Sequence, residues 1–159
     1  MLLPLSNDST LTTLQAQIDD DIFSGGHTSM LIGAEDGLNA VVFDCSKNRL
    51  EVTFAEQSSL KNTEEDAPVE LVFKVAQRNS MTLDAHTIIR NSHYLGVISD
   101  DSDAIKILLS QLISSKYHLL VGVRSPQTDS RTSFIFNIVN STSTMNNFIK
   151  ACGITLPAS

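Results

Sequence analysis

Four histidines, two cysteines and scattered carboxylates are the side chains from which catalysis or metal binding would have to be built in this chain. His27, His86, His93 and His118 form no HExxH arrangement. His86 and His93 lie seven residues apart across a turn, not at metal-ligand spacing. No metal site is expected. The segment "FSGGH" puts Ser24 close to His27, but a nucleophilic serine needs a sharp strand-to-helix elbow, and here Gly25-Gly26 reads as a turn before a strand. The same glycines would cradle phosphate only ahead of a helix N-terminus. Glu51 and Asp84, read as lying on neighbouring strands, are the candidate acid–base pair, and solvent-facing strand positions account for both without chemistry. Neither a catalytic residue nor a cofactor is therefore expected.

The cysteines read as structural. Reactive thiols sit beside histidine or clustered basic groups that favour the thiolate, and Cys45 and Cys152 have no more than Lys47 and Lys150 nearby. Cys45 ends an apolar strand pattern. Cys152 closes the stripe Met145, Phe148, Ile149 of an amphipathic pattern that Gly153 stops. Such a pair either bridges a helix to a sheet or stays reduced as two small buried hydrophobes, and composition leaves both open.

The elements that place these residues follow from periodicity. Period-two alternation recurs in short blocks bounded by turn residues: Leu14, Ala16 and Ile18 in "LTTLQAQID"; "TSMLIGA" and "NAVVFDC" around Glu35-Asp36-Gly37; Leu50, Val52 and Phe54; Val69, Leu71, Phe73 and Val75. "SMTLDAHTII", "HYLGVIS", "HLLVGVR" and "TSFIFNIV" continue it. Between them Ile105, Leu108, Leu109, Leu112 and Ile113 fall at helical spacing, with Asp100, Asp101 or Ser102 to cap the start. Ser141 or Ser143 would cap the last helix. The polar stretch "EQSSLKNTEEDAP" reads as the longest exposed loop. The expected fold is α+β: a mostly antiparallel sheet or sandwich of about 8–9 strands with two short helices, one at the C-terminus. At 159 residues it forms a single domain, 1–159, with 1–10 and 154–159 as flexible ends.

Charge narrows the partners. Eleven Lys and Arg against eighteen Asp and Glu give −7, and no basic cluster could follow a phosphate backbone, so nucleic acid is not an expected partner. Acidic runs at Asp19, Asp20, Asp21 and at Glu64, Glu65, Asp66 are the candidate surface for a basic protein. No apolar run reaches the roughly 18 residues of a membrane span, so no membrane insertion is expected. "MLLPLSNDST" lacks the basic start of a signal peptide, which leaves a cytoplasmic chain or one whose leader was replaced.

The succession "DDDIFSGG", "TSMLIGAEDGLNAVVFDCSKNRLEVTFAEQ", "VELVFKVAQ", a helix, "HLLVGVR" and "FIFNIVNSTSTMNNFIKACG", from Leu14 to Gly153, resembles small bacterial cell-envelope proteins of the type VI secretion-associated TagO/VasI-like family. That resemblance implies a Cys45–Cys152 disulfide, a periplasmic or envelope location and a non-enzymatic protein-binding or accessory role. Immunity or inhibitor proteins that block a toxin or hydrolase are the alternative. An acidic phage-type antagonist imitating nucleic acid, acting in the cytoplasm, is a further one.

Overall fold

Among the described residues nine strands and two helices follow one another along the chain, the strands where residues alternate and the helices where apolar residues fall at helical spacing. The computed structural model describes residues 12–19, 27–34, 39–46, 49–57, 66–91, 94–114, 118–126, 130–138 and 142–157. Strands β1 (Thr12–Asp19), β2 (His27–Ala34), β3 (Asn39–Ser46) and β4 (Arg49–Gln57) form a meander, with Ser46 opposite Arg49 across a two-residue connection. The chain then skips sideways. β5 (Pro68–Val75), β6 (Met81–Asn91) and β7 (Tyr94–Ser99) run back towards β4, and it is β7 that pairs with β4. Helix α1 (Ser102–Ser114) leads to β8 (His118–Ser125), which pairs with the far side of β5, and β9 (Ser130–Asn137) lies beyond it before helix α2 (Thr142–Cys152). The result is one antiparallel sheet in the order β1-β2-β3-β4-β7-β6-β5-β8-β9.

Alternation decides which face is covered. Met30, Val41, Phe43, Val52, Leu71, Phe73, Leu83, Leu119 and Val121 are fully buried and share a face, because side chains two apart along a strand project to the same side. Ile105, Leu108 and Leu109 of α1 and Met145 and Phe148 of α2 join that cluster, so both helices lie on this face. The sheet also curls towards it. Phe54 on β4 and Phe134 on β9, five places apart in the strand order, bring their rings to 5.0 Å. Such a contact requires the sheet to roll into a half-barrel.

Helix α1 starts, and helix α2 ends, as their sequences predict. The Asp101 carboxylate accepts a hydrogen bond from the Ala104 N–H at 3.2 Å, and the Asp101 carbonyl takes the first helical bond from Ile105 at 2.9 Å, making Asp101 the N-cap of α1. At the end of α2, Gly153 has φ +64°. The Ile154 N–H donates to the Ile149 carbonyl at 3.0 Å and the Gly153 N–H to Lys150 at 3.2 Å, the paired bonds of a Schellman stop. Ile149, Ile154 and Leu156 are partly buried against the core, so the hydrophobic contact continues past the helix end. Of the two serines expected to cap α2, Ser143 lies within the helix and Ser141 lies outside the described residues.

The turn after β5 holds a strained residue. Ala76 has φ +50°, is fixed by its N–H donating to the His118 carbonyl at 2.8 Å, and is the second residue of a turn closed by the Arg78 N–H on the Val75 carbonyl. A left-handed backbone costs an L-residue about 1–2 kcal/mol, more when the side chain is β-branched. Ala76→Val is therefore expected to lower unfolding free energy by about 1–2 kcal/mol in urea titrations, while Ala76→Gly leaves it equal or higher.

Candidate functional site

Cys45 and Cys152 are bridged, with Cα atoms 6.1 Å apart and 107 residues between them in sequence. Cys45 is two residues past Phe43 on the covered face of β3, opposite Thr28 and Leu50. Cys152 is the last residue of α2, whose contacts run to β1 and β2. Phe148, one turn earlier, meets Phe43 edge-on at 6.4 Å. The bridge and the aromatic pair thus seat α2 over the same strand, and of the two states open to the cysteines the structure adopts the bridged one.

The dispersed polar residues stay dispersed. Among the described residues no group of three or more His, Cys, Asp or Glu could hold a metal ion. His118 Nδ1 faces Asn137 Oδ1 at 2.5 Å across β8 and β9, and His86 Nε2 lies 4.0 Å from Asp66, both side chains well exposed. His27 opens β2, and His93 lies outside the described residues. Glu51 and Asp84 are not on neighbouring strands: β7 stands between β4 and β6. Glu51 accepts from Arg49 Nε at 3.1 Å, whereas Asp84 lies opposite Glu70. That separation follows from β5 and β6 being laid down beyond β7, which local sequence pattern does not reveal.

Of the acidic candidates, Asp20, Asp21, Glu64 and Glu65 lie outside the described residues. Asp19 ends β1 opposite His27. Asp66, with φ +62°, is tied by its N–H to the Thr87 carbonyl at 2.8 Å, and Thr87 Oγ1 accepts from the Ala67 N–H at 2.9 Å. Asp19 closes β1 at one edge of the sheet order and Asp66 sits just ahead of β5, with five strands between β1 and β5. Asp101 is committed to its helix cap.

The face of β5, β8 and β9 away from the helices carries what the sequence reading missed. Cross-strand register aligns three rows there: Glu70, Arg124 and Arg131; Val72, Gly122 and Ser133; Lys74, Leu120 and Ile135. In the first row Arg124 Nε donates to Glu70 Oε1 at 2.6 Å, and its Nη2 reaches the same oxygen. In the second, Gly122 and Ser133 leave a hollow of about 310 Å³ bordered by Val72, Arg124, Arg131 and Thr132. In the third, Leu120 and Ile135 are exposed, Ile135 at 55 %. Beyond β9 the sheet has no further strand among the described residues. The sequence does hold a signal for this surface: "LLV" and "FIF" are continuous apolar runs, so one residue of each must sit on the face that alternation reserves for polar groups.

Comparison with protein-family models, with curated proteins and with solved structures finds nothing that matches the chain.

Two outcomes follow. Oxidised protein unfolded without reductant should take up no alkylating reagent, and after reduction two equivalents; two labelled thiols before reduction would remove the bridge. Replacing both cysteines by serine should cost about 2–4 kcal/mol, within the ceiling of about 5 kcal/mol that chain entropy sets for a loop of this size. The second outcome concerns Glu56, opposite Asn39 and Leu95, where burial pushes the carboxyl above its usual range. A raised folded-state pKa favours folding at low pH, an advantage lost as pH rises through that value. Glu56→Gln should thus melt higher than the parent at pH 7, the gap closing as pH falls below about 4.

Proposed function

We propose that the chain is a non-enzymatic, disulfide-stapled protein-binding or accessory domain that works in the bacterial envelope. The observation that carries the binding reading is the margin at β9. A strand at the end of a sheet offers alternate backbone N–H and C=O groups to an incoming chain, and exposed apolar side chains beside it favour that association. Ile135 and Leu120 stand there together, directly opposite each other on β9 and β8. The bridge between Cys45 and Cys152 supports the compartment, since disulfides persist where the medium is oxidising. The layout resemblance to secretion-associated envelope proteins points the same way.

The described residues hold no helix long and apolar enough to cross a membrane. Their titratable groups are spread among turns, caps and cross-strand pairs, which suits recognition better than proton transfer. The acidic candidates Asp19 to Asp21 and Glu64 to Asp66 would act separately, each by steering a basic partner to the domain. Long-range steering acts on association rate and is screened beyond about 8–10 Å at physiological salt.

The test is capture of a partner from a bacterial envelope fraction on the oxidised protein, followed by kinetics of the purified pair. Lysine at Glu64, Glu65 and Asp66 together is expected to slow association at least threefold at low salt, and less at high salt, with the melting temperature nearly unchanged. An unchanged rate would remove this loop from recognition. Retention of no partner from envelope fractions, or turnover of a substrate by the purified chain, would overturn the reading itself.

A further inference from the structure

The two helices on the covered face are held unequally. α1 buries Ile105, Leu108, Leu109, Ser110 and Leu112, whereas α2 buries Met145 and Phe148. Intrinsic propensity widens the difference. The 11 residues of α2, "TSTMNNFIKAC", include the β-branched Thr142, Thr144 and Ile149 and the pair Asn146-Asn147, all weak helix formers, and no acidic residue in the first turn to match the helix dipole. A helix of this length is marginal in water by itself, so α2 persists because it is docked. Its last residue, Cys152, is tied to β3 through Cys45. Both cysteines are partly exposed, while Phe43 and Phe148 beside them are fully buried. The covalent tie is thus the part of the attachment nearest to solvent.

We propose that the Cys45–Cys152 bridge is a redox-sensitive latch on α2: a dithiol reductant opens it, α2 leaves the sheet and loses its helix, and the apolar surface around Phe43 and Met30 is uncovered while the rest of the sheet and α1 stay folded. The covalent step is thiol–disulfide exchange. A thiolate of the reductant attacks one Sγ and displaces the other as a thiolate; its second thiol resolves the mixed disulfide, so the reductant leaves as a disulfide and two electrons and two protons pass to Cys45 and Cys152. The division of labour between the helices makes the opening local. α2 lies over β1 and β2, whereas α1 lies over β4 and β5, so release of α2 leaves the packing of α1 on its own strands in place. An element with few buried side chains and poor propensity is the kind that opens below the free energy of global unfolding, and removing a covalent tie biases it towards the open state.

Hydrogen exchange followed by mass spectrometry on the full chain tests the latch, with dithiothreitol as the dithiol and a mass gain of two hydrogens as proof of reduction. Amides of Thr142–Cys152 are expected to exchange roughly tenfold faster or more after reduction, while those of β4, β5 and α1 change by less than about twofold. A dye that brightens in apolar surroundings should bind the reduced protein more strongly, and reoxidation should reverse both changes. Cys152→Ser should exchange in α2 like the reduced protein without any reductant, and dithiothreitol should then change nothing further. Unchanged protection of α2 after complete reduction would overturn the proposal, because docking through Met145 and Phe148 would then suffice. Faster exchange throughout the sheet would do the same, since the fold rather than one helix would have opened. So would a bridge that survives hours in millimolar dithiothreitol under native conditions, being out of reach of a reductant. None of these results bears on whether the domain binds a partner, so the latch and the binding reading fail separately.

Discussion

One apolar face of a curled nine-stranded sheet has to be kept from water, and two short helices lie across it. Nearly every buried side chain of the strands projects to that face, from Met30 on β2 to Phe136 on β9. Burial at about 25 cal/mol per Å2 makes its coverage the dominant favourable term, so whatever positions the helices determines whether the sheet persists. α1 is positioned by sequence continuity between β7 and β8. α2 is anchored by Phe148 against Phe43 together with the Cys45–Cys152 bridge.

The curl is the second determinant. Contact between Phe54 and Phe134 brings the β9 end of the sheet round towards the first strands while leaving β1 and β9 unpaired with each other in the strand order. A closed barrel would have no edges. This half-closed one retains a margin at β9, and the same register that buries Phe134 and Phe136 turns Arg131, Ser133 and Ile135 outwards. Core packing and the exposed arginine and apolar rows are two faces of one strand.

Much of the local structure is legible in the sequence because strands with one buried face must alternate. Val69, Leu71, Phe73 and Val75 announce β5, and the spacing of Ile105, Leu108 and Leu112 announces α1, whose Asp101 cap is equally readable. The order of strands in the sheet is not legible. Alternation tells which side chains are buried and is silent about neighbours, so nothing in "VELVFKV" reveals that β5 lies beside β8, or that β7 fills the place next to β4. The separation of Glu51 from Asp84 is a consequence of that silence. The arginine, hollow and apolar rows are hidden for the same reason: they exist only across strands. What the chain does display is their residue at the wrong parity, Leu120 within "LLV" and Ile135 within "FIF". The bridge is different again, since two cysteines in a chain can be paired in one way, and what sequence leaves undecided is whether they pair at all.

The location of Cys152 also sets an order of events in time. It lies in α2, which follows β1 to β9 and α1 in the chain, so the bridge to Cys45 cannot close until every described strand has been made. The bridge therefore cannot guide the early assembly of the sheet. The strands have to find their register by burial and hydrogen bonding alone, and oxidation then fastens a helix onto a surface already made. A chain whose β3 is misplaced presents Cys45 to solvent rather than to α2, so closure of the bridge reports that the β2, β3 and β4 register has been reached. The covalent step acts as a late check on assembly performed by weaker forces.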